Sequence, residues 1–491
     1  MSEPTPVPLM VPPFAFDALV RERPVAKRAT PFAAPIAASP LAASPIVVAP
    51  VDAPTEAATI PAAARLNPPT PPTPRSERHK APRRQRTSRE RTSRHRGRPI
   101  LIVAVVLVAA VAFVGFRLSQ PIPKAKVSSA LGAAVKVPAS TVSLPWAPTG
   151  QSAVAVPALG IDVTSGPEQS VPIASLTKMM TAYIILHDHP LAGSQSGPNI
   201  TMTQADVDYF NTDTVSDQAN AQVTVGEVLT ERQLLGGLLV HSANNYALSL
   251  ARWDAGSLDA FVAKMNATAH TLGMDNTHYV DPSGYDEGSQ STAGDLLKVA
   301  MPDMTNATFA SIVRMPNITL PVAGTISTYT PLLGIQGVIG VKSGFTTLAG
   351  GCDVLAVRRV VNGKSVLIIS AVTGQTGPNV LVAAGLQALN VANVTGMSIG
   401  ATPVQQSGTV VARVAAAGHV VDAVTAAPVT VLSWPGVTIT RTFEPGAAVA
   451  PGTRQGTRIG REVVTVGTQR VVIPVRLQKD LPKESISQRI F

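Results

Sequence analysis

The run Ile100-Leu-Ile-Val-Ala-Val-Val-Leu-Val-Ala-Ala-Val-Ala-Phe-Val-Gly-Phe116 carries no charge and no proline over seventeen residues, and it divides the chain. As a helix it rises about 26 Å, slightly short of a ~30 Å hydrocarbon core. Pro99 before it and a snorkelling Arg117 after it complete the span, so residues 99–117 are expected to form one transmembrane helix. A buried core helix would show a polar stripe and would not follow a strongly basic segment. The apolar run begins far from Met1 and is longer than the hydrophobic part of a cleaved leader.

That basic segment explains most of the net charge of +10: Arg75 to Arg98 holds eleven Lys or Arg against Glu77 and Glu90. Concentrated beside an apolar span, it reads as a topogenic, lipid-facing segment and not as a nucleic-acid surface. The bias places the N-terminus in the cytoplasm and everything beyond about Ser119 outside, in a single-pass plasma (inner) membrane arrangement. Residues 1–98 are expected to be a disordered tail, rich in Pro and Ala before the basic run, because they hold too little apolar surface to offset chain entropy. Residues 118–147, rich in Pro, Ser, Lys and Ala, read as a linker. The lone cysteine, Cys352, excludes an intramolecular disulfide, and its apolar surroundings suit packing better than nucleophilic chemistry.

Residues 148–395 combine helical and strand patterns. A strand is expected near Ser152–Leu159. Leu176, Met180, Tyr183 and Ile184 recur on one helical face. Further helices are expected at Gly226–Leu235, Ser257–Leu272, Ala293–Met301 and Asn379–Leu389. A strand opening at Val341 precedes a hairpin, Gly351–Arg359 with Lys364–Thr373, turning at Asn362-Gly363. The expected class is α+β, a helical cluster on an antiparallel sheet. Residues 398–481 shift to Val, Thr, Gly and Pro in alternating patterns and read as an all-β domain.

Three short motifs lie in order: Ser175-Leu-Thr-Lys178, Ser242-Ala-Asn244 and Lys342-Ser-Gly344. An S-x-x-K sets hydroxyl and amine one helical turn apart, as a nucleophile and its base require. S-x-x-K and S-x-N are each expected by chance about once in a chain of this length, and K-[ST]-G in about one such chain in five. Their order and flanks carry the information. Ala174-Ser-Leu-Thr-Lys-Met-Met-Thr-Ala-Tyr183 and Gly340-Val-Lys-Ser-Gly-Phe-Thr346 resemble the D-alanyl-D-alanine carboxypeptidases, the low-molecular-mass penicillin-binding proteins. So do Phe261–Asn266, Leu272–His278 and Asp281-Pro-Ser-Gly284 between them.

The resemblance implies a penicillin-binding, β-lactamase-like transpeptidase fold with a C-terminal β domain, and a serine peptidase that removes the terminal D-Ala of peptidoglycan stem peptides. Catalytic roles fall to Ser175, Lys178 and Ser242, and substrate contacts to Asn244, Lys342, Ser343, Gly344 and Phe345. The Ser175 and Phe345 backbone N–H groups would form the oxyanion hole. β-Lactams would acylate Ser175; no metal or cofactor is implied. Three departures stand near the site: Ser343 replaces the usual threonine, the turn before Ser175 is compressed to Gly160–Pro167, and Gly294 stands where relatives usually carry arginine.

Three other readings compete. A β-lactamase would need a deacylating glutamate, and Glu287, the one glutamate between Ser242 and Lys342, sits in an expected loop outside an E-x-x-x-N context. A zinc peptidase could draw on His187-Asp188-His189, but these close a helix before Pro190 without a third ligand. A penicillin-binding sensor or scaffold, weak in catalysis, would use the long tail to engage a cytoplasmic partner.

Overall fold

A computed structural model of the chain describes residues 98–132, 134–216 and 218–490. The tail expected for residues 1–98 therefore lies outside the described residues, Arg98 apart. The first element is helix α1, Arg98–Ser119. No residue of Leu101–Ser119 is buried among the described residues, so its apolar surface is left largely open there. A second helix of comparable apolar length, Val380–Ser398, is partly buried and packs on a sheet, as a core helix does.

That sheet has five antiparallel strands in the order Val338–Thr346, Gly350–Val361, Lys364–Gln375, Gln151–Val156, Ile161–Thr164. The central hairpin turns as expected: Asn362 and Gly363 have φ of 47° and 72°, and Val361 pairs with Lys364. Two positive φ values suit the twist of the flanking strands. Val380–Ser398, longer than the expected Asn379–Leu389, covers one face, where Ser370 Oγ donates to the Ala388 carbonyl at 2.7 Å.

The other face receives a helical cluster. Helix α2, Thr177–Asp188, lies at its centre with Met179, Met180, Ile184 and Ile185 buried. Around it stand α3 (Gln204–Val215), α4 (Glu231–Val240), α5 (Asn244–Ala255), α6 (Leu258–Thr271) and α7 (Ala293–Thr305). The helix expected at Gly226–Leu235 starts later. Val228–Thr230 is a short strand, and Thr230 with Gln233 forms a capping box that fixes the start of α4 at Glu231.

Residues 118–147 differ from the linker expectation. Lys126–Ser129 pairs with Val410–Ala416, and Val135–Lys136 pairs with Thr438–Pro445, making both outer strands of a seven-stranded sheet built otherwise from the C-terminal region. Its Pro, Ser, Lys and Ala content suits a linker, but Val127 and Leu131 pack on the C-terminal core, and Leu144 is buried. The C-terminal strands also share a core with the five-stranded sheet: Val431, Trp434 and Ile473 cluster with Val154, Leu355 and Ile368.

Candidate active site

Ser175 is in a short 3-10 turn, Ala174–Leu176, that runs directly into α2. Ala174 enters this turn at φ 49°, a left-handed conformation that costs a non-glycine residue about 1 kcal/mol or more. Its carbonyl is held against Gly284, where any Cβ would lie 1.9 Å from the Ala174 oxygen. Only glycine permits that approach.

Lys178, one turn on, is fully buried. Its Nζ donates to Ser175 Oγ at 2.8 Å, Asn244 Oδ1 at 2.5 Å and the Ser283 carbonyl at 2.7 Å. Three acceptors match its three donors. Burial lowers its pKa well below the ordinary lysine value, and the nearby Lys342 ammonium pushes the same way, against Asp281 and Asp213. The lowered pKa favours the neutral amine, whose two N–H groups stay on Asn244 Oδ1 and the Ser283 carbonyl while its lone pair turns to the Ser175 hydroxyl, as general-base activation requires.

Ser242 and Asn244 occupy the junction between α4 and α5. Ser242 has φ 62°, and this reversal lets α5 begin at Asn244. The Asn244 amide is oriented from behind: its Nδ2 donates to Gln218 Oε1 at 2.6 Å, leaving Oδ1 for Lys178. Ser242 is buried near this pair, but the hydroxyl partner of Lys178 is Ser175.

Lys342, Ser343 and Gly344 lie on the edge strand Val338–Thr346, whose free side faces the Ser175 turn. Lys342 is buried, donates from Nζ to the Ser343 carbonyl at 2.7 Å, and has its pKa lowered to about 7 by burial, with Asp353 opposing. Ser343 Oγ donates to the Tyr329 carbonyl at 2.8 Å. Gly344 abuts the nucleophile: a Cβ there would be 2.7 Å from Ser175 N. Phe345 follows, half exposed.

The motif residues therefore converge, and two further groups join them. Asp281 Oδ1 accepts the Ser283 N–H at 2.5 Å and also the Gly284 N–H, and Oδ2 accepts the Asp286 N–H at 2.6 Å. This fold of the Asp281–Gly284 turn sets the Ser283 carbonyl on Lys178. Gln218 is the other. Asp281-Pro-Ser-Gly284 is one of the stretches that carry the family resemblance, though with no role assigned to it; nothing in the local sequence points to Gln218.

Other candidates are committed elsewhere. His187 bonds Asp188 at 2.8 Å and His189 bonds Asp254 at 2.9 Å, so the two rings have separate partners. Cys352 is buried, with its thiol pushed up to about 12 by burial, against thiolate chemistry. Glu287 is in a loop and accepts the Leu348 N–H at 3.2 Å. At Gly294 the space an arginine stem would fill is taken by Glu168, whose Oε1 accepts the Gly294 N–H at 2.5 Å.

The family model described as D-alanyl-D-alanine carboxypeptidase matches residues 160–376. A D-alanyl-D-alanine carboxypeptidase of Mycobacterium tuberculosis is 35% identical over 246 residues, covering 48% of this chain and 79% of that protein. One from a Streptomyces species is 33% identical over 210 residues, covering 39% of this chain and 69% of the relative. A D-alanyl-D-alanine endopeptidase of Pseudomonas aeruginosa is 34% identical over 216 residues, and the chain spans 64% of its length.

Proposed function

The chain belongs to the D-alanyl-D-alanine carboxypeptidase family, and from that premise we propose that it removes the terminal D-Ala of peptidoglycan stem peptides through an acyl-enzyme on Ser175. The observation that supports this most is the Ser175–Lys178–Asn244 hydrogen-bond chain with Lys178 fully buried. Ser175 Oγ attacks the carbonyl between the two D-Ala residues as its proton passes to Lys178 Nζ. A lysine at its reference pKa would be almost wholly protonated near neutral pH, so activation needs that pKa lowered. Burial and the Lys342 charge act in that direction.

The C–N bond then breaks, and the departing amine takes a proton from Lys178, relayed by Ser242. Water next adds to the ester with Lys178 again as base, and C–O cleavage returns the proton to Ser175 Oγ. Backbone N–H groups of Ser175 and Phe345 would hold the oxyanion, each such donor contributing about 3–4 kcal/mol. Lys342 and Ser343 receive the terminal carboxylate, and Asn244 the substrate amide. A β-lactam would follow the same first step and stop at the ester. In this reading α1 anchors the protein, the tail is cytoplasmic and the site faces the wall.

Labelling by a fluorescent penicillin tests the acyl-transfer site: it should occur in the native chain and vanish in Ser175→Ala. Release of D-Ala from a pentapeptide tests turnover. A chain that is labelled but releases no D-Ala would instead be a sensor; one that is never labelled refutes the serine mechanism.

A further inference from the structure

The end of α1 is tied to the far end of the chain. Arg117 Nε donates to the Ile490 carbonyl at 3.2 Å. Arg489, from the short helix Ile486–Ile490, donates to the Leu118 and Gln120 carbonyls at 2.6 and 2.8 Å. These bonds set a depth. Arg117 closes the apolar span, where a guanidinium reaches into the headgroup layer, so Ile486–Ile490 lies at the level of that layer.

The same helix grips the β domain. Gln488 Nε2 donates to the Ala417 carbonyl at 3.0 Å, in the turn between the strands Val410–Ala416 and His419–Thr425. Beside that turn Lys126, Ala415 and Val420 pair in one row across three strands, so their side chains share a face. The next row on this face, Ser128, Arg413 and Asp422, is about 7 Å farther from the turn, two residues at ~3.3 Å each. The row that holds Val420 is thus the one nearest the span.

Apolar side chains stand open around this end: Ile122, Val420 and Ile486 are 51%, 63% and 68% exposed. Lys124, Lys126, His419 and Lys483 are exposed among them, while Glu484 faces Arg489 at 4.0 Å. Scattered exposed apolar residues say little, but a group of them with a basic rim at the foot of an apolar span marks a contact surface. Charge is divided along the chain in the same sense. Residues 148–395 hold ten Lys and Arg against eighteen Asp and Glu, whereas residues 118–147 and 396–491 together hold thirteen against five. An anionic surface attracts the basic part and repels the acidic one.

Resting on the reading of α1 as a membrane anchor, we infer that this end of the β domain is a second, interfacial contact with the bilayer. Ile122, Val420 and Ile486 enter the boundary between headgroups and acyl chains, and Lys124, Lys126 and Lys483 meet the phosphates of anionic phospholipids. A span alone lets the domain swivel about residues 120–125. The second contact stops that motion and holds the acidic catalytic region off the lipid.

Spin labels on the full chain in bilayers test this, placed singly through Val108→Cys in α1, Val420→Cys, Ile486→Cys and, on the catalytic sheet, the exposed Val360→Cys. Cys352 is buried and out of reach of the label. The ratio of collisions with lipid-soluble oxygen to those with a water-soluble nickel chelate reads depth. With phosphatidylglycerol present, labels at 420 and 486 should give about three times the ratio at 360, as entry of 5–10 Å implies. Replacing Lys124, Lys126 and Lys483 by Gln, or omitting phosphatidylglycerol, should remove about half of that excess. Labels at 420 and 486 as wet as that at 360, with 108 deep in lipid, overturn the inference; an excess unmoved by both charge changes overturns the part given to the lysines. A label at 108 that is itself in water overturns the anchor reading, and this inference with it.

Discussion

Gly344 and Ser175 meet without a side chain between them, since a Cβ on Gly344 would be 2.7 Å from Ser175 N. The contact is to backbone, which cannot rotate aside. Gly344→Ala should therefore push the edge strand off the nucleophile turn and misplace both oxyanion donors. Acylation by a fluorescent penicillin should slow about a hundredfold, the scale of a small misplacement at a reacting centre, and the thermal midpoint should fall, since overpacking against backbone costs about 1–3 kcal/mol.

Gln218 acts through Asn244. Its Oε1 accepts the Asn244 amide N–H at 2.6 Å and so keeps Oδ1 turned to Lys178. In Gln218→Leu the amide loses that preference, and the acylation rate should fall about tenfold, near the worth of one oriented polar contact. Gln218→Glu retains the acceptor and should recover most of the rate; equal losses in both variants would refute the orienting role.

Glu168 and Gly294 should couple. A Cβ at Gly294 would lie 2.5 Å from Glu168 Oε2, and the same carboxylate accepts the Gly294 N–H near the start of α7. Gly294→Ala alone should destabilise by about 1 kcal/mol through that lost bond. In a Glu168→Ala background the same change should stabilise by about 0.5 kcal/mol, because alanine is the better helix former. Thermal denaturation of the four proteins in the cycle measures the sign change.

Glu231 opens α4 with both carboxylate oxygens buried and without hydrogen-bond partners among the described residues. Burial raises its pKa to about 7, with Arg232 opposing. A folded-state value above the unfolded one means the native chain holds the proton more tightly, so stability falls as pH rises from about 4.5 to 7 and stays low above. Glu231→Gln lacks that loss. It should be more stable than the native chain at pH 8, by about 2 kcal/mol, and should show little advantage at pH 5; denaturant midpoints at the two pH values decide.

The strands at Lys126–Ser129 and Val135–Lys136 bear on any soluble fragment. A chain beginning at Ser119 keeps both outer strands of the C-terminal sheet, whereas one beginning at Ser140 uncovers the residues on which Val127, Leu131 and Val137 pack. The shorter fragment should be less stable by about 2–4 kcal/mol from lost apolar burial. Equal thermal midpoints would show that the segment adds nothing to the fold.

What could be read from the chain itself was whatever depends on near neighbours. The apolar run of α1, the hairpin turn at Asn362-Gly363 and the helical spacing of Ser175 and Lys178 follow from local sterics and periodicity. The three motifs, read with their flanks, named the family. The start of α4 was misread because its capping box begins at Thr230, after a strand that the helical pattern obscured. The rest required distant segments to meet. Burial of Lys178, the Ser283 carbonyl upon it, Gln218 behind Asn244 and Glu168 in the space at Gly294 each join residues far apart in sequence. Residues 118–147 gained their strands only because the C-terminal sheet offered two edges to pair with. Pairing across such distances is decided by packing and by the need to satisfy buried polar groups, which no local pattern in the chain encodes.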